Sequence, residues 1–402
     1  MKVYFGFNDI RQDGMGSEAM YLLKALKDCG IEVQPIHPWK KVLIPQYIEE
    51  YKPIFLRETE EEPELSSVIK DMVDVINSDT ECNIFCHFGS PNWACVIPYL
   101  RPDIRIVVSV HSITPSALKI ATAYNERVSR FVAISWELEN ILYNKLNKNI
   151  HNKISLITNA LDINKYTEKV YNKNAITKIV FFGRIEDYTK GCDKIPPIAK
   201  ILKDKGLNFE WDFYGYFHWG YENRFYKLNK EYSVEDIITY KGCLQPEEIN
   251  DTISKYDIMV MPSNHEGFGL ALIEAMAMGL TCVASKINNV TDKILAHKKE
   301  GYLCNRNNIS EFANYIYEAA NNFELRKEIG RAARKKVIEN FTLEVQGEKY
   351  KKLFTEIIAE NNYSIIQPNQ SLENFKQPNM VKPHILARIL PTWFKRILKK
   401  YI

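Results

Sequence analysis

The most informative pattern of hydrophobic and polar positions lies in residues 257–285, DIMVMPSNHEGFGLALIEAMAMGLTCVAS. Two short apolar runs, Ile258–Met261 and Thr281–Ala284, have the length of buried strands. Between them, Leu270–Met278 is predicted to form a helix, and Gly279 lies where a glycine would end it. The pattern therefore predicts a strand–loop–helix–strand unit of a parallel sheet.

Apolar runs of strand length alternate with helical periodicity through the first 360 residues. The predicted strands are Lys2–Phe7, Ile31–Gln34, Asn83–His87, Ile104–Val110, Arg130–Ser135, Ile154–Ile157, Lys178–Phe182, Trp211–Tyr214 and Ile237–Tyr240. The clearest helices are Ser17–Cys29, Glu247–Lys255, Ser310–Ala320, Glu324–Asn340 and Thr342–Glu360. We expect Pro35 to end the second strand, because proline has no N–H to donate. Such alternation favours an α/β fold with parallel sheets.

Length and composition limit the class of protein. The chain has 402 residues, enough for two or three domains, and 46% of its residues are hydrophobic. No apolar run reaches the roughly 18 residues of a membrane span, and the N-terminus resembles a strand rather than a signal peptide. The eight cysteines include no C-x2-C pair. This usage favours a reduced, cytoplasmic protein and argues against structural zinc.

Charge is concentrated at the C-terminus. Residues 381–402 contain six Lys or Arg and no acid, and therefore carry a charge of +6. Since the whole chain has a net charge of +3, the rest of the chain has a net charge of −3. The net negative charge of residues 1–380 argues against binding of nucleic acid by this part of the chain. Residues 361–380 resemble a linker, and the apolar residues of 381–402 recur at helical spacing. We expect a basic amphipathic tail on an anionic membrane surface; the alternative is a helix packed on the body or on a partner.

The loop before the predicted helix can bind an anion. Gly267 and Gly269 leave backbone amides uncovered at the positive end of the helix dipole. Two carboxylates, Glu266 and Glu274, flank these amides and would accept hydrogen bonds from hydroxyl groups. A ligand with both phosphate and hydroxyl groups suits this combination. The alternative is an ordinary helix entry with Glu266 near the N-cap.

A second loop carries two cations. Gly183, Arg184 and Lys190 follow the strand that ends at Phe182. Arginine offers a bidentate fork and lysine a point charge, so together they form a plausible diphosphate clamp. Two fixed cations can neutralise a leaving diphosphate without a metal, and no metal-ligand set is apparent in the sequence. The alternative is a solvated basic loop.

Three further residues lie at predicted strand ends. Gly14 and Gly16 are in the loop after the first strand, before the helix that starts at Ser17, which suggests phosphate approach or a tight turn. His111 directly follows Ile104–Val110. Open α/β sheets bind ligands at the carboxyl ends of their strands, although a lone histidine is more often structural.

Glu266 and Glu274, with Gly267–Leu270 between them, resemble the E-x7-E signature of the retaining glycosyltransferases of family 4. The loop from Gly183 to Gly191 resembles that family's nucleotide-diphosphate motif, and His111 resembles its cleft histidine. The chain departs from the family pattern at several positions. These are Met15 between the two glycines, Ser112 after the histidine, Ala160 in the turn 158–162 and Asn288–Asn289 after the second apolar run.

The resemblance implies the GT-B fold, two Rossmann-like doubly wound domains that face each other across a cleft. Residues 1–165 would form the acceptor-side domain and 166–342 the nucleotide-sugar domain. Residues 343–360 would form a helix that returns to the first domain, followed by the linker 361–380 and the basic tail 381–402. The resemblance covers about residues 1–360, more strongly in the second half.

The resemblance also implies roles for single residues. Glu266, His111, Arg184 and Lys190 would be catalytic. The donor would be bound by Gly14, Gly16, Gly183, Arg184, Lys190, Phe268, Gly269, Leu270 and Glu274. Arg184 and Lys190 would neutralise the leaving diphosphate, Glu274 would hold the ribose, and Glu266 and His111 would contact the donor sugar. No metal or other cofactor is expected.

The implied activity is transfer of a sugar, with retention of anomeric configuration, from a nucleotide-diphospho-sugar to a glycan or lipid-linked glycan. We expect an enzyme of the hexosyltransferase type in surface polysaccharide or glycoconjugate synthesis, in the cytoplasm or peripheral on the inner face of the membrane. Two alternatives remain open. One is a nucleotide-sugar epimerase or hydrolase on the same fold, and the other is a non-catalytic subunit of a partner transferase.

Overall fold

The computed structural model describes residues 1–10, 14–40, 44–61, 63–173, 175–218 and 220–360. The described chain divides into two compact units. The first unit holds residues 1–10, 33–131 and the described residues after 356. The second unit holds the described part of 11–32 together with 132–356. The predicted linker and basic tail lie outside the described residues, and the predicted domain boundary at residue 165 stays a prediction.

Strands and helices alternate, as the apolar pattern predicts. The strands are β1 (Lys2–Gly6), β2 (Glu32–His37), β3 (Ile54–Phe55), β4 (Cys82–His87), β5 (Arg105–Val110), β6 (Arg130–Ala133), β7 (Ile154–Leu156), β8 (Thr177–Phe182), β9 (Phe209–Tyr214), β10 (Ile238–Tyr240), β11 (Ile258–Met261), β12 (Thr281–Ser285) and β13 (Tyr302–Cys304).

The helices connect these strands and flank the sheets. They are α1 (Gly14–Asp28), α2 (Pro45–Tyr51), α3 (Leu65–Ser78), α4 (Pro91–Ala94), α5 (Pro115–Ala121), α6 (Trp136–Lys145), α7 (Ile195–Asp204), α8 (Tyr221–Glu231), α9 (Ile249–Ile253), α10 (Leu270–Ala277), α11 (Thr291–Ile294), α12 (Ile309–Asn321), α13 (Phe323–Asn340) and α14 (Leu343–Ala359).

The first sheet has seven strands in the order β3-β2-β1-β4-β5-β6-β7. Its central strands pair in parallel, with Val3 opposite Ile84 and Phe85 opposite Ile106. Every residue of β5 is buried, which agrees with its run of β-branched side chains. The chain order changes direction between β1 and β4, so ligand-binding loops are expected at the carboxyl ends of these strands.

The second sheet has six parallel strands in the order β10-β9-β8-β11-β12-β13. Its core includes the fully buried rings of Trp211, Phe213 and Phe181. Here the strand order reverses between β8 and β11, which are direct neighbours. The carboxyl ends of these two strands therefore form the topological switch point, where open α/β sheets bind their ligands.

The unit predicted from residues 257–285 is present. It consists of β11, α10 and β12, and Gly279 has a φ of 80° just after the helix, the left-handed conformation typical of a glycine at a helix end. A Cβ at Gly279 would also lie 2.5 Å from the Tyr171 hydroxyl. The predicted fold class, α/β with two Rossmann-like parallel sheets, is confirmed.

Among the details that differ from the sequence-based expectation, two concern β2 and α1. β2 continues through Pro35 to His37; its pairing with β3 begins only at Ile36, so the missing N–H of Pro35 precedes that ladder. α1 begins at Gly14, so Gly14 and Gly16 lie in its first turn and not in a loop before it.

Candidate functional site

Glycine allows two strand ends of the second sheet to approach each other closely. The Gly183 N–H, just after β8, donates to the Tyr214 carbonyl at 2.9 Å. Gly215, just after β9, has a φ of 137°, and a Cβ there would lie 1.8 Å from the Gly183 carbonyl oxygen. A side chain is therefore excluded at position 215, and the backbone at the start of the loop after β8 is fixed.

Arg184 is held by its own loop. Its Nε donates to Glu186 Oε1 at 2.7 Å and its Nη2 donates to Thr189 Oγ1 at 3.0 Å. Thr189 also donates to Glu186. Burial raises the pKa of Glu186, but the hydrogen bonds from Thr189 and Arg184 outweigh burial and leave that pKa below its ordinary value. The guanidinium is thus oriented by an ionised carboxylate.

Lys190 and Glu266 form an ion pair across the switch point. The Lys190 ammonium lies 2.7 Å from Glu266 Oε1, and the Ser263 hydroxyl donates to the same oxygen at 2.7 Å. The Glu266 side chain is only 7% exposed, whereas that of Lys190 is 23% exposed. A buried carboxylate therefore has its charge matched by a cation that solvent or a ligand can still reach.

The two loops that carry this pair are tied together by their backbones. The amides of Asn264 and His265 donate to the Thr189 carbonyl at 2.8 and 3.1 Å. The Lys194 ammonium donates to the Pro262 carbonyl at 2.8 Å. Since Thr189 also contacts Arg184, the clamp residues and the carboxylate belong to one connected network.

Close packing also restricts the residue at position 191. Gly191 has a φ of 62°, and a Cβ there would lie 2.3 Å from the Pro262 carbonyl oxygen. A side chain at this position would push the two loops apart. Glycine is therefore required for the approach of the clamp loop to the loop after β11.

The start of α10 presents uncovered amides. Its N-cap is Gly269, with a φ of 108° and no side-chain cap hydrogen bond. The amides of Leu272 and Ile273 donate the first hydrogen bonds of α10, both to the Gly269 carbonyl. No acceptor for the amides of Leu270 and Ala271 is found among the described residues. Phe268 is 3% exposed and packs edge-on against Phe341, so it anchors the loop.

Glu274 lies about one turn into α10 and accepts a hydrogen bond from a tyrosine that the sequence reasoning missed. The Tyr166 hydroxyl donates to Glu274 Oε1 at 2.9 Å. The Tyr21 hydroxyl lies 3.3 Å from that of Tyr166. Burial raises the pKa of Glu274 to about 6, although the Tyr166 hydrogen bond lowers it. The only sequence signal for Tyr166 is its place shortly after the turn 158–162.

The remaining predicted residues lie elsewhere in the chain. His111 belongs to the first unit, directly after β5, with its ring centroid 4.1 Å from that of Phe88. Gly14 and Gly16 open α1, which belongs to the second unit and carries Tyr21. The structure brings Arg184, Lys190 and Glu266 into one network. It adds Tyr166 and Tyr21 beside Glu274.

Two kinds of feature are missing from the part of the chain that is described. Within it, no cluster of three or more His, Cys, Asp or Glu residues could hold a metal ion. Nor does any helix there combine the length and the apolar character that crossing a membrane requires.

Residues 163–336 match the model of the family described as glycosyl transferases group 1. The chain is 26% identical over 135 residues to N-acetyl-alpha-D-glucosaminyl L-malate synthase of Bacillus anthracis. This match covers 34% of this chain and 35% of the relative. It is 28% identical over 166 residues to poly(ribitol-phosphate) alpha-N-acetylglucosaminyltransferase of Staphylococcus aureus, which covers 41% of this chain and 33% of the relative. The matched segments thus span about a third of each relative's length.

Among solved structures, Anabaena HepE in complex with UDP and glucose superposes with a TM-score of 0.72 at 15% identity, over 88% of this chain and 99% of that chain. A likeness at this identity shows the fold, which is the GT-B fold. The family match includes Arg184, Lys190, Glu266 and Glu274. Residues 163–336 of this chain are therefore similar to the group 1 glycosyltransferases.

Proposed function

We propose that this chain is a retaining glycosyltransferase that moves a sugar from a nucleotide-diphospho-sugar to a glycan or lipid-linked glycan acceptor, in the synthesis of surface polysaccharide or glycoconjugate. The observation that carries the proposal is the Lys190–Glu266 pair at the same switch point as the uncovered amides of α10. Cations and amides suit a diphosphate, and carboxylates suit sugar hydroxyls. A nucleotide-diphospho-sugar presents both groups.

The leaving diphosphate is the first chemical problem of the reaction. Arg184 and Lys190 would stabilise its developing charge together with the amides at the start of α10. Arg184 is already oriented by Glu186 and Thr189, so little reorganisation is needed when the donor binds. These cations would act without a metal ion.

The carboxylates would bind the two sugars of the donor. Glu266 would accept hydrogen bonds from the transferred sugar and lie near the positive charge that grows on its ring. Glu274 would accept hydrogen bonds from the ribose hydroxyls. His111 would contact the transferred sugar. Gly14, Gly16, Gly183 and the loop residue Phe268 would allow or shape the approach of the donor.

The reaction is a substitution at the anomeric carbon on the face of the leaving group. The bond from that carbon to the diphosphate oxygen breaks, and the diphosphate departs with the electron pair. The acceptor hydroxyl oxygen forms the new bond on the same face, and its proton passes to the departing phosphate oxygen. Retention follows because bond breaking and bond making share one face, and no carboxylate nucleophile of the glycosidase type is invoked.

The names of the relatives support this class of substrate. One relative is named as an N-acetylglucosaminyltransferase of poly(ribitol-phosphate), and one structural neighbour was solved with UDP and glucose. UDP-sugars are therefore the first donors to test.

A thermal-shift panel of UDP, GDP, ADP and their sugar conjugates, with and without a chelator, tests the donor. A ligand at about 100 times its Kd stabilises a protein by roughly 2.7 kcal/mol, which is readily measured. We expect a shift with one base that the chelator does not remove. No shift with any nucleotide would refute the donor assignment and favour the non-catalytic subunit. Products with and without acceptor then separate a transferase from an epimerase or hydrolase, and NMR of the product's anomeric proton tests retention.

Kinetics of two variants test the roles within the site. Glu274→Ala should raise the donor KM strongly, because ribose binding is lost before and during the reaction. Lys190→Ala should mainly lower kcat, by about 10²–10³, the range for removal of one stabilising group. The matched control is Lys335→Ala on α13, whose side chain is 77% exposed. Kinetics in both site variants that match the control would refute the assignment.

A further inference from the structure

Tyr166 lies in a rigid setting beside the candidate donor site. It is 4% exposed and follows a short 3-10 turn, with its N–H donating to the Ile163 carbonyl at 3.1 Å. Arg334 on α13 donates to the Tyr166 carbonyl at 2.9 Å. The backbone is thus fixed from two sides, and the ring has little freedom to move.

The hydrogen bonds of Tyr166 have a defined direction. A phenol has one proton to donate, and an ionised carboxylate can only accept. The Tyr166 proton is therefore committed to Glu274 Oε1, at 2.9 Å. The neighbouring Tyr21 hydroxyl, at 3.3 Å, must then donate to the Tyr166 oxygen. The result is a chain from Tyr21 on α1 through Tyr166 to one oxygen of Glu274.

This chain fixes one carboxylate oxygen and leaves the other for a ligand. Among the described residues, no hydrogen bond reaches Glu274 Oε2. A carboxylate whose first oxygen is held by a buried phenol cannot rotate freely, so its second oxygen keeps one direction. This is the requirement for binding a hydroxyl group at a set position.

The electrostatics of the surroundings agree with a role in ionisation. Burial raises the pKa of Glu274 to about 6, and the Tyr166 hydrogen bond acts against this rise. Burial and the charge of Glu274 raise the pKa of Tyr166 well above its ordinary value, so it stays a donor at every working pH. Burial, and then the charges of Glu274, Asp162 and Glu247, raise the pKa of the neighbouring Tyr21 to about 12, although the contact with Tyr166 lowers it. The nearby cation is Arg334, which binds the Tyr166 carbonyl.

We propose that Tyr166 is a positioning residue for the donor: its hydroxyl holds the Glu274 carboxylate ionised and oriented so that the free oxygen accepts the ribose hydroxyls. The proposal rests on the proposed function, because it assigns a donor to this site. Tyr21 supports Tyr166 from α1, the helix that begins at Gly14. Tyr166 acts through Glu274 and does not itself contact the donor.

The test is Tyr166→Phe, which removes one oxygen and keeps the ring. Loss of a hydrogen bond to a charged group predicts a rise of about tenfold or more in donor KM, with kcat changed less than threefold. Removal of the hydrogen bond should also raise the pKa of Glu274, so the acid limb of kcat/KM should move to higher pH by about one unit. Tyr21→Phe should show the same effects more weakly.

The matched control is Tyr171→Phe. The Tyr171 hydroxyl also makes one hydrogen bond, to the Gly279 carbonyl at 2.9 Å, in the same unit but away from Glu274. Both variants should lose similar thermal stability. A KM and a pH profile that are unchanged in Tyr166→Phe, or changed equally in Tyr171→Phe, would overturn the positioning role.

Two measurements separate this proposal from the proposed function. Calorimetric Kd values for UDP, GDP and ADP report donor binding without turnover. If wild type binds one of these nucleotides and Tyr166→Phe binds it equally well, the proposal fails while the proposed function stands; if wild type binds none, the proposed function fails. Carbon-13 NMR titration of the Glu274 carboxyl tests the ionisation directly, and an unchanged pKa in Tyr166→Phe would overturn that part of the proposal.

Discussion

Replacement of Asp257 should destabilise the second unit more than replacement of an exposed acidic residue would. Asp257 directly precedes β11, and its side chain is 4% exposed. It faces two buried cations, with Lys169 Nζ at 3.0 Å and an Arg326 nitrogen at 3.7 Å. Its second oxygen accepts the Lys178 amide at 3.1 Å, at the start of β8. The carboxylate therefore joins the two central strands whose far ends carry the candidate site.

The magnitude follows from burial. Asp257→Ala leaves the charges of Lys169 and Arg326 buried without their carboxylate, and breaking a buried pair in this way costs about 3–5 kcal/mol. For a unit of this size, each 1 kcal/mol corresponds to roughly 2–4 °C, so we expect a fall in Tm of about 10 °C. Asp236→Ala is the matched control, because Asp236 pairs with Lys203 at 2.9 Å but is 66% exposed. It should cost no more than about 1 kcal/mol.

The pH dependence tests the mechanism. Burial already lowers the pKa of Lys169, against the opposing effect of Asp257. In Asp257→Ala that opposing effect is gone, so the folded protein should bind fewer protons than the unfolded chain below the ordinary lysine pKa of about 10.4. Stability then rises with pH in that window, and part of the deficit should be recovered between pH 7 and pH 10.

Urea unfolding followed by the fluorescence of buried Trp211, in the same sheet, measures both effects. A double-mutant cycle with Lys169→Met gives the coupling energy between the two residues. The reasoning is refuted if Asp257→Ala costs no more than Asp236→Ala. It is also refuted if the deficit is the same at pH 7 and pH 10.

Two further predictions concern the clamp loop. Gly191→Ala should destabilise the protein by about 1–3 kcal/mol and weaken nucleotide binding, because the new Cβ would meet the Pro262 carbonyl. The control is Gly206→Ala, at a position with a similar φ of 72° where a Cβ would have no atom within 4 Å. This control should leave the calorimetric Kd for nucleotide unchanged. Glu186→Gln should cost about 2 kcal/mol at pH 7 in urea unfolding. Since the pKa of Glu186 is lowered in the folded protein, its contribution is complete above the ordinary pKa of about 4.3 and is lost as the pH falls further, so a difference independent of pH would contradict the reasoning.

The sequence was sufficient for features set by local pattern. β11, α10 and β12 lie within one residue of their predicted bounds, because two largely apolar runs and a glycine after the helix leave little choice of structure. The ends of β5 and β8 were equally clear, and they placed His111 and Gly183 correctly. The prediction that Pro35 ends β2 was wrong. A missing N–H interrupts a strand only where that N–H would pair with a neighbouring strand, and the pairing of β2 with β3 begins after Pro35, at Ile36.

Contacts between distant residues could not be predicted. Tyr166 and Glu274 are 108 residues apart, and Lys169 and Asp257 are 88 apart. Lys190 and Glu266 were each expected in the site on separate grounds, but their pairing depends on β8 and β11 being neighbours in the sheet. No periodicity or spacing in the chain encodes which strand lies beside which, so these partners became visible only in the folded structure.

The Lys190–Glu266 ion pair also bears on which anions the protein discriminates against. A simple phosphate ion would have to draw Lys190 away from a carboxylate only 2.7 Å distant, and would bring no sugar ring with several hydroxyl groups to occupy Glu266 in exchange. A nucleotide-diphospho-sugar could exchange partners at both ends, with phosphate for the lysine and sugar for the carboxylate. Under the proposed function, the Lys190–Glu266 contact would compete with small anions for Lys190, and this internal contact would contribute to selectivity against phosphate.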